Sequence, residues 1–212
     1  MKLLWGIALA LLLAGCGQKE SAAPGTAAAY VPVEPAQAVE APAGKIEVIE
    51  FFSYACIHCY RLNSLAKAWA SAQPPDVVFR RIPVTFDRPQ LVPLARLFYA
   101  LEANGLLGAH DEAVFAAIHD KGESLMTEEA VLAWVAARGI EMKTFRAAWD
   151  APETQARLDR AAAQTRAYQV NGTPAIYAAG RWAVKLEAAS GYEHLMELTG
   201  KLVDKLRRGE KP

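Results

Sequence analysis

Apolar positions along this chain follow two periods, and the switches between them mark out its elements. The run Ile46–Phe52, IEVIEFF, is β-branched and aromatic, is preceded by Gly44, and reads as a buried strand. In a period-2 strand Ile46, Val48, Glu50 and Phe52 share one face, which puts the Glu50 carboxylate among apolar neighbours. Helical spacing follows at once: Cys59, Leu62, Ala66 and Trp69 recur at three- and four-residue steps until Pro74-Pro75 stops the pattern. VVFRRIPV, from Val77 to Val84, is a second strand. Strand, helix, strand predicts a parallel pair with a right-handed crossover.

The period then stays helical for a long stretch. Pro93 suits a first helical turn, Leu94, Leu97, Phe98 and Leu101 form a stripe, and Asn104-Gly105 closes it. Thr127 with Glu128 and Glu129 starts another helix, whose Val131, Trp134 and Val135 face inward until Gly139. Phe145, Ala148 and Trp149 imply one short turn, and Ala151-Pro152 opens a helix to about Gln169. Strand pattern returns at Pro174–Ala178, turns at Gly180 and returns along Trp182–Val184. Leu195, Leu198, Leu202 and Leu206 then line a last helix. Tyr30–Val33 suits a short edge strand, the one place Pro32 is tolerated, and Glu34–Gly44 reads as loop. The expected fold is α/β, a mixed sheet with an inserted all-helical domain over about residues 88–168. There are no internal repeats.

The N-terminus obeys neither period. MKLLWGIALALLLAGC has one basic residue, Lys2, before an apolar run from Leu3 to Ala14, too short for the ~20 residues of a membrane span and suited to a signal peptide. Its end, Leu13-Ala14-Gly15-Cys16, resembles the bacterial lipobox, after which cleavage exposes a cysteine for lipidation. The expected organisation is a lipoprotein signal peptide over 1–15, a flexible tether over 16–29 reaching about 20 Å, and one domain over 30–212. Lipidation would make Cys16 a thioether and remove it from disulfide chemistry. Gly17, where an aspartate is associated with inner-membrane retention, leaves inner or outer membrane open.

Composition narrows the function classes. Lys plus Arg and Asp plus Glu are 23 each and no basic cluster occurs, which argues against nucleic acid as partner. Three cysteines are present, and export would place them where thiols oxidise. Cys56 and Cys59 frame Ile57-His58. Haem attachment needs histidine after the second cysteine, and Tyr60 stands there. Structural zinc needs four ligands, and His110, His119 and His194 lack the spacing, so no metal is expected. His110 and His119 read as solvated or capping residues, and Trp69, Trp134, Trp149 and Trp182 as core or groove lining. A structural disulfide would close only a tiny loop. Redox exchange remains. Cys56 follows a strand and opens a helix, where unpaired N–H groups and the dipole favour thiolate; Cys59 falls on the apolar stripe one turn on. His58 can donate to or electrostatically favour that thiolate.

FFSYACIHCY, Phe51 to Tyr60, with the distant Val170-Asn-Gly-Thr-Pro-Ala-Ile, resembles the DsbA family, thioredoxin-fold thiol oxidases of the bacterial envelope. The resemblance covers roughly Tyr30 to the C-terminus, the helical insertion included. It implies Cys56 and Cys59 as the redox pair, His58 as the histidine of the dipeptide, and Pro174 as the cis-proline. Thr173 precedes that proline, in a loop that abuts the disulfide and pairs with substrate peptide. It implies Glu50 as a buried acid mediating proton transfer to the recessed cysteine, and an oxidising disulfide with a depressed cysteine pKa. Position 57 departs from the pattern: Ile57 stands where the best-known members carry proline, which leaves the redox potential open.

The resulting expectation is a lipid-anchored, monomeric envelope thiol:disulfide oxidoreductase, acting through Cys56–Cys59 without a bound cofactor. Its partners would be exported proteins with free thiols, a quinone-linked membrane oxidase of the DsbB type, and a lipid membrane through Cys16. The alternatives are a thioredoxin-like reductant or isomerase, and a non-catalytic peptide-binding lipoprotein.

Overall fold

The computed structural model describes residues 28–212. The signal segment, Cys16 and nearly all of the expected tether lie outside them. Among the described residues five strands form one sheet in the order β1-β5-β4-β2-β3: β1 (Tyr30–Pro32), β2 (Ile46–Phe52), β3 (Val77–Pro83), β4 (Ala175–Ala178) and β5 (Trp182–Val184). Only β2 and β3 run parallel, joined by helix α1 (Ile57–Ser71), as the βαβ reading requires. β1 sits at an edge, antiparallel to β5, which accommodates Pro32.

Between β3 and β4 lie five helices: α2 (Val92–Ala103), α3 (Leu107–His119), α4 (Glu128–Ala136), α5 (Met142–Trp149) and α6 (Pro152–Ala167). α7 (Tyr192–Arg207) closes the chain. The segment between β3 and β4 is helical, as the periodicity implied, with two corrections. The stretch after Gly105 contains a full helix, α3, that the periodicity did not single out. The turn at Phe145–Trp149 is a two-turn helix capped by Glu141, whose carboxylate accepts the N–H groups of Lys143 and Thr144. Thr127 caps α4 through the Ala130 N–H.

Two apolar clusters hold these parts together. One lies between the sheet residues Val48, Ile176, Ala178 and Val184 and the helices α1 and α7, whose Leu62, Ala66, Leu195 and Leu202 are buried. The other joins the insertion to the end of β2, where Phe52 packs edge-on against Tyr54 and Phe98, and Phe51 against Tyr177. Trp134 and Trp149 are core, and Trp69 and Trp182 are half-buried. β2 is thus covered on both faces and delivers its C-terminal end, and the residues after it, into the junction of the two clusters.

Candidate active site

The segment Ser53–Cys56 leaves β2 through a tight turn, with the Ala55 N–H donating to Ser53 Oγ and the Cys56 N–H to the Ser53 carbonyl. Cys56 is the N-cap residue of α1, in extended conformation. Its sulfur occupies the place where a serine or aspartate oxygen would meet the first free N–H groups. It closes no ordinary cap hydrogen bond. The backbone amides of Cys59 and His58 nevertheless favour the thiolate.

Both cysteines are free thiols here, so the structure describes the dithiol. Cys56 is half-buried and Cys59 is fully buried. The Cys56 thiol is lowered to about 5, chiefly because Cys59 donates to it; burial opposes this, and the Thr173 side chain and the two backbone amides add to it. Burial pushes Cys59 far up, and the hydrogen bond to Cys56 and the nearby Glu50 carboxylate push in the same direction. The two sulfurs therefore differ in both access and proton affinity.

β4 runs antiparallel to β2 with Ala175 opposite Phe51, so the residues just before β4 project past the end of β2, where α1 begins. Pro174 is buried there, its bond to Thr173 is cis, and the Cys56 sulfur lies 3.2 Å from the Thr173 carbonyl oxygen, to which it donates when protonated. A second cis bond, Glu34–Pro35, lies in the loop after β1. His58 is exposed, and its Nδ1 pairs at 2.7 Å with the hydroxyl of Tyr192 at the start of α7. Its imidazole is thus engaged away from the sulfur, and its contribution to the thiolate comes through its backbone amide. Ile57 is 38% exposed beside Cys56.

Glu50 is fully buried, on the face shared with Val48 and Phe52, but its surroundings are more than apolar. The register of β2 and β3 sets Arg81 directly opposite, and Arg81 Nε donates to Glu50 Oε2 at 3.1 Å. The same guanidinium donates through Nη1 to Asp111 of α3 at 2.9 Å and stacks 3.9 Å over the Phe52 ring. The Tyr54 hydroxyl also donates to Asp111, at 2.8 Å. Burial raises Glu50 above the usual carboxylate range; Arg81 pulls it back and Asp111 raises it again.

Sequence reasoning missed Asp111 and Arg81. A signal existed for Asp111, since Asp111, Val114, Phe115 and Ile118 follow the i, i+3, i+4, i+7 spacing of a buried helical face. His119, read as solvated or capping, is half-buried: it bonds the Tyr54 carbonyl at 2.8 Å and stacks on Tyr60, bracing the active-site turn from behind.

A model of the DSBA-like thioredoxin domain matches residues 47–202. The thiol:disulfide interchange protein DsbA of Burkholderia cepacia is 36% identical over 182 residues, 85% of each chain. Its counterpart from Azotobacter vinelandii is 34% identical, over 79% of this chain and 78% of the relative. Among solved structures, Pseudomonas aeruginosa DsbA superposes with a TM-score of 0.79 at 31% identity, over 85% of this chain and 93% of that one. Xylella fastidiosa DsbA gives 0.75 at 32% identity, over 84% and 95%.

Proposed function

The chain belongs to the DSBA-like thioredoxin family and is a thiol:disulfide oxidoreductase; from that premise we propose that it acts as an oxidant, passing a Cys56–Cys59 disulfide to exported proteins in the bacterial envelope. The observation that carries this reading is the asymmetry of the two sulfurs. Cys56 is reachable and held as thiolate near neutral pH, while Cys59 is buried with its proton strongly retained. A dithiol whose accessible sulfur is a stabilised thiolate is a poor electron donor, and its disulfide is correspondingly a good acceptor.

The steps follow from that asymmetry. A substrate thiolate bonds to Cys56 Sγ, the Cys56–Cys59 bond breaks, and its electron pair leaves on Cys59, the sulfur that then takes up a proton. Glu50, in the strand beneath, is the group to supply it, and recovers a proton from solvent. A second substrate thiolate attacks the substrate sulfur of the mixed disulfide and displaces Cys56 as thiolate. The substrate is oxidised by two electrons and the enzyme ends as dithiol. The Thr173-Pro174 loop, abutting Cys56, would pair with the substrate backbone. Family analogy supports reoxidation by a DsbB-type membrane oxidase.

The Leu-Ala-Gly-Cys sequence ending at Cys16 supports a periplasmic lipoprotein form, cleaved after residue 15 and anchored through Cys16, with residues 16–29 as tether and a monomeric domain from Tyr30. Metabolic palmitate labelling that survived Cys16→Ala would refute the anchor. For the exchange itself, the disulfide form should oxidise a reduced, unfolded disulfide protein stoichiometrically. Cys56→Ser and Cys59→Ser should each abolish this, since neither can form the disulfide; in Cys59→Ser the Cys56 thiolate should instead attack oxidised glutathione, releasing one glutathione thiolate, and accumulate a mixed disulfide that no second sulfur resolves. Undiminished oxidation by Cys56→Ser would overturn the reading.

A further inference from the structure

The group beside Cys59 is a buried cluster of two acids and one base. Glu50, Arg81 and Asp111 come from β2, β3 and α3, and among them a formal charge of −1 sits out of water unless one carboxylate carries a proton. Donor placement shows which one. Asp111 Oδ1 receives both the Tyr54 hydroxyl at 2.8 Å and Arg81 Nη1 at 2.9 Å. Glu50 receives only Arg81 Nε, at 3.1 Å. Glu50 Oε1 and Asp111 Oδ2 each lack a donor among the described residues, so the difference rests on the other oxygens. Hydrogen bonds to the anion favour ionisation, and the doubly bonded carboxylate is the better anion. The proton belongs on Glu50.

We propose that Asp111, supplied by the helical insertion, is a positioning residue of the exchange reaction: by claiming part of Arg81 and setting a second carboxylate on it, Asp111 keeps Glu50 holding the proton that Cys59 takes up as it leaves. This inference rests on Glu50 as the proton donor. The charged and titratable groups around Glu50 are Arg81 on β3, Asp111 on α3, and Cys56 and Cys59 at the start of α1; opposite it on β4 stands the apolar Ile176. Cys56 as thiolate acts in the same sense as Asp111, because its charge also raises Glu50. Without Asp111, Arg81 would serve Glu50 alone and convert it to a plain carboxylate, unable to donate.

The insertion is thus a working part of the site. In the sequence it looks only like a cover on a thioredoxin sheet. In the structure one of its side chains, Asp111, reaches the strand pair below the two cysteines.

The test is the pH dependence of disulfide exchange between the full protein and a reduced thiol peptide, for wild type, Asp111→Asn, Glu50→Gln and the double variant. Asparagine keeps a side-chain oxygen to accept from Tyr54 and Arg81 and removes only the charge. The inflection lost in Glu50→Gln should move toward acid in Asp111→Asn, with the rate at pH 7.5 down about tenfold, a part of what positioned proton transfer commonly supplies. The double variant should match Glu50→Gln alone. An unmoved inflection in Asp111→Asn, or a loss that adds to that of Glu50→Gln, would overturn the role of Asp111 while leaving Glu50 in place. No change in Glu50→Gln would remove both. Should Asp111→Asn fail to fold, Tyr54→Phe decides: losing the hydroxyl that holds Asp111 as anion must move the inflection the same way, by less, and an unmoved profile refutes the proposal.

Discussion

At Cys56 a sulfur stands where an oxygen normally caps a helix, and the chemistry follows from that substitution. An N-cap oxygen is neutral or already ionised; a thiol there can release its proton to satisfy the same donors. The amides that most favour the thiolate belong to His58 and Cys59. Ile57 is the first residue of α1, where proline loses no helical hydrogen bond. Ile57→Pro should therefore leave the Cys56 titration, followed by thiolate absorbance near 240 nm, close to pH 5; a rise of a full unit or more would show that the Ile57 amide matters. The same titration sets a stability window. The folded pKa of about 5 lies below the ordinary 9.0, so the thiolate's contribution to the dithiol is complete above pH 9 and disappears as pH falls through 5. The melting temperature of the reduced protein relative to the oxidised one should fall on acidification over that range.

The elements differ in how openly the sequence displays them. β2, α1 and the cysteine motif are contiguous, and each apolar step there has a single reading. Pro174 was accessible through its own local motif. α3 was hidden for a physical reason: Leu106 holds its N-cap position and offers no side-chain acceptor, and Gly105 before it had already served to end α2. The Glu50–Arg81 pair was hidden because it depends on strand register, and Asp111 because it depends on where α3 docks. Contacts of that kind exist only in three dimensions. The β4–β5 turn gives a test at this scale. Gly180 has φ +65°, and a Cβ there would run into the Gln37 carbonyl, whose own N–H bonds the Gly180 carbonyl at 2.8 Å. Gly180→Ala should destabilise the fold by about 1–3 kcal/mol in denaturant unfolding, through loosening of the 33–44 loop; an unchanged midpoint would show that this loop is not clamped there.

For the whole molecule, the start of α1 supplies the cysteine pair, the segment before β4 supplies the loop at Pro174, and the insertion supplies the Phe98 and Phe115 packing, the Asp111 end of the Tyr54–Asp111 bond and the brace of His119. Direction of electron flow is the property that joins these parts, because it sums the Cys56 thiolate, the Cys59 thiol and the charge beneath them. Equilibration of the Cys56–Cys59 pair with glutathione over defined ratios of its reduced and oxidised forms measures that sum directly. A potential well above roughly −220 mV, more oxidising than a cytosolic glutathione pool, is the predicted result. A potential at or below about −270 mV, in the range of thioredoxin, would contradict it and make the protein a reductant.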